Sequence, residues 1–112
     1  MKLLTKEIVS AFKKQGDTSE MEMEEIKVIA KFFNPIGAST WYLYEFEEEE
    51  GIFWCFANLG DPTFAECGTV ALKELEDLRL PMGLRIERDM HFPIGKHTLR
   101  EIIDKVKSGG YI

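Results

Sequence analysis

Two aromatic, strand-like runs separated by a short charged turn constrain this chain more than any other feature. Thr40 to Phe46 carries Trp41, Tyr42, Tyr44 and Phe46, and Ile52 to Ala57 carries Phe53, Trp54 and Phe56. Between them lies Glu47-Glu48-Glu49-Glu50-Gly51, a charged tip whose glycine tolerates the positive φ of a tight turn. Aromatic side chains on paired strands interact across the pair, so the expected unit is an antiparallel hairpin. A third apolar run, Ile26 to Phe33, is broken by Pro35 and Gly37. The simplest arrangement of the three is a meander.

Helical signals flank these strands. Leu4, Ile8, Ala11 and Phe12 fall on one stripe, which predicts a helix over 5–14, with Lys13 and Lys14 complementing its dipole and Gly16 ending it. Leu72, Leu75 and Leu78 mark a short middle helix ended by Pro81 and Gly83, and Leu84–Asp89 reads as a further strand. Thr98 and Glu101 form a capping box ahead of the stripe Leu99, Ile102, Ile103 and Val106, and Gly109-Gly110 close that last helix. Residues 17–25 are polar and acidic, and read as a short turn or a solvated connector. The expected fold is α+β, an antiparallel sheet of four to five strands packed with an N-terminal, a middle and a C-terminal helix. At 112 residues, positions 1–112 form one domain in this reading, large enough to bury a core without staples.

Charge is unevenly spread. Net charge is −6, but residues 1–16 carry +3, 17–50 carry −8, 51–95 carry −3 and 96–112 carry +2. The acidic balance argues against a duplex nucleic-acid footprint, and the basic ends read as solvated helix faces. Cys55 and Cys67 lack metal-ligand or disulfide-framework spacing and fit free thiols in the cytoplasm. No stretch approaches the about 18 apolar residues of a membrane helix, and the first residues lack a signal-peptide core. No cofactor motif or zinc spacing occurs, and Gly109-Gly110 follow a helix instead of opening one.

Two charges fall in apolar phase. With simple alternation Glu45 shares a face with Trp41 and Leu43, and Arg88 continues the phase of Leu84 and Ile86. Half-buried lone charges are costly, so Glu45 and Arg88 are expected to pair, with Glu66 as a third member, unless each lies at a strand end and reaches water. A second use of such residues is a site: Glu45, Glu66, Glu87 and Asp89 around a divalent cation, with Lys31 or Arg88 supporting a phosphate. Cys67 with His91 offers a thiolate pair, though neither sits in a recognised nucleophile motif. The aromatic strands likewise admit two readings, a core under the helices or an exposed platform.

Several segments in order carry a resemblance: Leu3-Leu4-Thr5-Lys6-Glu7-Ile8, Lys31-Phe32-Phe33-Asn34-Pro35, Trp41-Tyr42 with Glu45-Phe46, Leu72-Lys73-Glu74-Leu75, and Gly83-Leu84-Arg85-Ile86-Glu87-Arg88-Asp89 with Phe92. Over roughly residues 3–92 the chain resembles a family of short uncharacterised bacterial proteins, a domain of unknown function carried on plasmids, integrative elements and phages. It departs from that pattern in the acidic 17–25 connector and a longer C-terminal helix. The resemblance implies no activity or cofactor, only an accessory role on a mobile element.

The expected function is a non-enzymatic module acting by protein–protein contact. Its surface is the acidic stretch ending in Glu47, Glu48, Glu49 and Glu50, with Trp41, Tyr44 and Trp54 beside it. The alternatives are a small metal-dependent or phosphate-handling enzyme and a self-associating structural subunit.

Overall fold

The computed structural model describes residues 2–112. Helix α1 spans Lys6–Gln15, with the Thr5 hydroxyl accepting the Ile8 N–H at 3.2 Å. Gly16, at φ 70°, turns the chain out of the helix while its N–H still bonds the Phe12 carbonyl, a conformation that disfavours any side chain. The strands are β1 (Lys27–Val28), β2 (Ala30–Phe33), β3 (Thr40–Glu47), β4 (Ile52–Asn58), β5 (Glu66–Ala71), β6 (Glu87–Arg88) and β7 (His97–Thr98). Helix α2 covers Leu72–Asp77 and α3 covers Leu99–Lys107, the latter opened by the Thr98–Glu101 capping box.

The fold is the mixed α+β type expected. Strands β2 to β5 form an antiparallel meander, and β6 returns to the outer side of β2, giving the order β5-β4-β3-β2-β6. The apolar run 26–33 does not make one strand. Its first part, β1, leaves the sheet to pair with β7 just ahead of α3, and Ile29 between the parts donates to the Leu43 carbonyl at 2.8 Å. The expected strand over 84–89 is likewise cut to Glu87–Arg88. Leu80 N–H donates forward to the Leu84 carbonyl across a turn with Met82 at φ 62°, so that stretch bonds itself instead of a neighbour.

Helices cover both sheet faces. On one, Ile8 and Phe12 of α1 and Leu75 of α2 join Phe32, Leu43 and Phe53. The Phe12 ring lies 5.9 Å from Phe46 and 5.8 Å from Phe53, which stack at 4.5 Å. On the other, Leu99, Ile102 and Val106 of α3 close over Tyr42, Tyr44 and Phe56. Most of the aromatic character is therefore core. Of the three aromatics expected beside the acidic tip, Tyr44 is buried and Trp41 packs half-buried against the first cluster, leaving Trp54 exposed.

A β-bulge explains the misplaced acid. Leu43 pairs with Cys55, but the next pair is Glu45 with Trp54, so Tyr44 is an extra residue on β3. From there the alternation reverses. Phe46 joins Leu43 on the α1 face, while Glu45 stands beside Trp54 on the other. The acid never enters the apolar phase that simple alternation assigns it.

Candidate functional site

The charged residues singled out in the sequence divide into separate places. Glu45 accepts the backbone N–H of Thr18 at 2.8 Å and its hydroxyl at 2.6 Å. Arg88 turns to the other end of the chain, donating to the carbonyls of Lys2 and Leu3. The Glu45–Arg88 contact is not formed: β1 and the bulge leave the Thr18 turn, not β6, against Glu45. Glu66 and the pair Glu87 and Asp89 belong to opposite edges of the sheet, about 19 Å apart by strand spacing, so they cannot share one cation. Among the described residues no three His, Cys, Asp or Glu side chains converge as a ligand set.

Lys31 and Asp89 do meet. Lys31 is 1% exposed, an unusual depth for an ammonium. Its Nζ lies 3.6 Å from Asp89 Oδ2 and donates to the Tyr111 hydroxyl at 3.0 Å and the Ile112 carbonyl at 2.7 Å. The Tyr111 ring covers it at 4.1 Å. Two of its three donors are hydrogen-bonded within the fold and Asp89 supplies the counter-charge, so the arrangement reads as a clamp that ties residues 111–112 to β2.

The acidic surface acquires a shape. The 17–23 turn and the hairpin ends of β3 and β4, with Trp54, enclose an open groove of about 450 Å³. Asp17, Glu45 and Glu47 rim it, Met21, Met23 and Trp54 give it apolar walls, and no Lys, Arg or His lines it. Trp54 is 40% exposed, and its indole N–H reaches Glu47 Oε1 at 3.4 Å. Glu48 is held by Lys13 at 3.4 Å, and Glu49 and Glu50 are exposed at the hairpin tip. Met21 and Met23 were hidden by the polarity of residues 17–25; their spacing of two, on one side of the turn, was the available signal. Carboxylates at the rim attract cations, an indole face accepts them, and methionine walls adapt to varied apolar shapes.

Two buried or half-buried groups at the groove, Tyr44 and Cys67, favour their neutral forms. Burial pushes the Tyr44 hydroxyl well above the usual tyrosine range, with nearby Cys67 adding to it. Cys67 is exposed as a residue, yet desolvation around its sulfur is the largest influence and raises its pKa, the hydrogen bond with Tyr44 acting the other way. A thiol so placed is a poor source of thiolate at neutral pH. The groove is equipped for contact, and the nucleophile contemplated at Cys67 is not activated.

No helix among the described residues is long and apolar enough to cross a membrane. The family described as "Protein of unknown function (DUF2958)" matches residues 3–112. No curated protein and no solved structure matches the chain.

Proposed function

The chain belongs to that family of unknown function, and we propose that it is a non-enzymatic protein-binding module whose acid-rimmed, indole-walled groove receives a basic segment of a partner protein. The observation that carries this reading is the coincidence, in one groove, of three carboxylates, no basic side chain and the exposed Trp54. Complementary charge supplies encounter rate and orientation, and a large exposed aromatic flanked by methionines supplies the apolar contact of a hot spot. The whole chain acts as one domain in this reading, in the cytoplasm, where its two thiols stay reduced. The resemblance to proteins of plasmids, integrative elements and phages adds the expectation of an accessory role, with a partner from the host or the element. Duplex nucleic acid is a poor occupant for a groove of this sign.

Affinity capture from the native host, with nuclease-treated controls and mass spectrometry, supplies the partner for the test. Its affinity is then measured against the chain carrying Glu47→Lys, Glu48→Lys, Glu49→Lys and Glu50→Lys together, and against Trp54→Ala. The reading requires weaker binding in both, and a flatter dependence on salt in the first. Unchanged affinity and salt slope in the folded variants would overturn it.

A further inference from the structure

The sheet ends on β5 with its outer edge open. Because the Leu72 N–H donates to the Gly51 carbonyl at 2.8 Å, the alternation of an antiparallel ladder makes Val70 and Gly68 the residues bonded to β4. The same alternation turns the N–H and C=O of Cys67 and Thr69, and those of Ala71, outward. The Ala71 N–H is taken by Glu74 Oε1 at 3.3 Å. Among the described residues nothing bonds the outward groups of Cys67 and Thr69. Natural edge strands are usually blunted by lysine, proline, a bulge or a covering segment. β5, Glu-Cys-Gly-Thr-Val-Ala, has none of the first three, and both Cys67 and Thr69 are exposed.

The ridge formed by β5 separates two grooves. On the α3 side lies the groove with Trp54 already described. On the α1 side lies a second, of about 570 Å³, with Trp41, Phe64 and Leu78 among its walls and Asp61, Glu66 and Glu74 as its only charged residues. Phe64 is 78% exposed, and a Cβ built on Gly68 would meet no atom within 4 Å, so the space beside the strand is open. Cys67 borders both grooves.

We propose that β5 is a strand-addition site, at which an extended peptide segment of the partner, apolar in alternation and carrying Lys or Arg, completes the sheet. The inference rests on the protein-binding reading above and specifies the partner's conformation. Successive side chains of an added strand point to opposite faces, so they enter the two grooves in turn while the backbone bonds Cys67 and Thr69. The carboxylates in both grooves favour lysine or arginine in the incoming segment. They also disfavour a second copy of this chain, whose own β5 edge would bring the same negative charge.

The test pans a displayed library of random nine-residue peptides against the full chain and against Thr69→Pro, which removes one outward N–H at an edge position where proline is tolerated. Enriched peptides should alternate apolar residues, contain Lys or Arg, and bind Thr69→Pro at least tenfold more weakly. N-methylation of the peptide amides that face β5 should cost at least tenfold, and N-methylation of the alternate amides little; this arm stands even where Thr69→Pro fails to fold. Bound peptide should slow hydrogen exchange at the Cys67 and Thr69 amides. No enrichment, equal sensitivity to both methylation patterns, or dimerisation through β5 in place of peptide binding would overturn strand addition. A partner whose binding needs Trp54 and Glu47–Glu50 but ignores Thr69→Pro leaves the protein-binding reading standing and removes strand addition alone.

Discussion

Thr18 donates both its backbone N–H and its hydroxyl to one oxygen of Glu45, at 2.8 and 2.6 Å. The contact fastens the acidic turn to β3 one residue past the bulge, and so sets one wall of the Trp54 groove. Thr18 is only 6% exposed, which makes the bonds difficult to replace with water. Thr18→Val keeps the shape and removes the hydroxyl donor, at an expected cost of about 1–2 kcal/mol in urea unfolding. Glu45→Ala removes both bonds and should cost about as much, and the double variant should cost less than the two together. Strict additivity would show that the pair contributes nothing as a pair.

The Lys31–Asp89 contact predicts an asymmetry. Asp89 keeps water access, with a quarter of its side chain exposed, and Oδ1 also receives the His91 N–H at 2.9 Å. Lys31→Met therefore removes a buried charge and leaves an acid that can solvate, and should cost no more than about 1 kcal/mol. Asp89→Ala leaves the buried ammonium without its counter-charge and loses the turn to His91, at about 2–3 kcal/mol. Denaturant midpoints of the two variants decide it, and the reverse order would show that Lys31 is solvated through its Tyr111 cover.

The parts of this fold legible in the sequence are those set by local chemistry. Thr5, Gly16 and the Thr98–Glu101 box mark helix ends because caps act within one turn, and the β3–β4 hairpin follows from its aromatic runs and Gly51. The bulge at Tyr44 was not legible, since period-two reading assumes an uninterrupted ladder, and the misassignment of Glu45 followed from it. The loss of β1 to β7 reflects a competing partner about 70 residues away. The Lys31 clamp joins residues 80 and 81 positions apart, beyond the reach of any window. The groove was half legible: the acids and Trp54 were visible, but Met21 and Met23 were concealed in a polar segment.

Scattering of the carboxylates predicts a flat response to divalent cations. Glu66 and Asp89 occupy opposite sheet edges, and Glu45 is engaged by Thr18. Magnesium, manganese, calcium or zinc at millimolar concentration should move the melting temperature by no more than about 1 °C, because a site with a dissociation constant a hundredfold lower would contribute about 2.7 kcal/mol by linkage. A cation-specific rise of several degrees would revive the metal-dependent reading.

Alkaline pH should loosen the sheet from its centre outward. Cys55 is 1% exposed, and burial, with a smaller contribution from Cys67, pushes its thiol up to about 12 from a reference of 9.0. Burial, with smaller contributions from Tyr111 and Asp89, pushes the Tyr42 hydroxyl up to about 12 from 10.0. Both folded-state pKa values are raised, so the unfolded chain releases these protons first and binds fewer of them across the window. Stability from these groups is fully present below pH 9, falls between pH 9 and 10 as unfolded Cys55 ionises, and falls more steeply from pH 10 to 12 when Tyr42 adds to it. The limiting slope is about 1.4 kcal/mol per pH unit for each group. Cys55→Ala should flatten the pH 9–10 limb while lowering stability at every pH through the lost packing, and Tyr42→Phe should flatten the limb above pH 10. Melting temperatures followed from pH 8 to 11 check both, and an unchanged slope in Cys55→Ala would show that its thiol meets water in the folded protein.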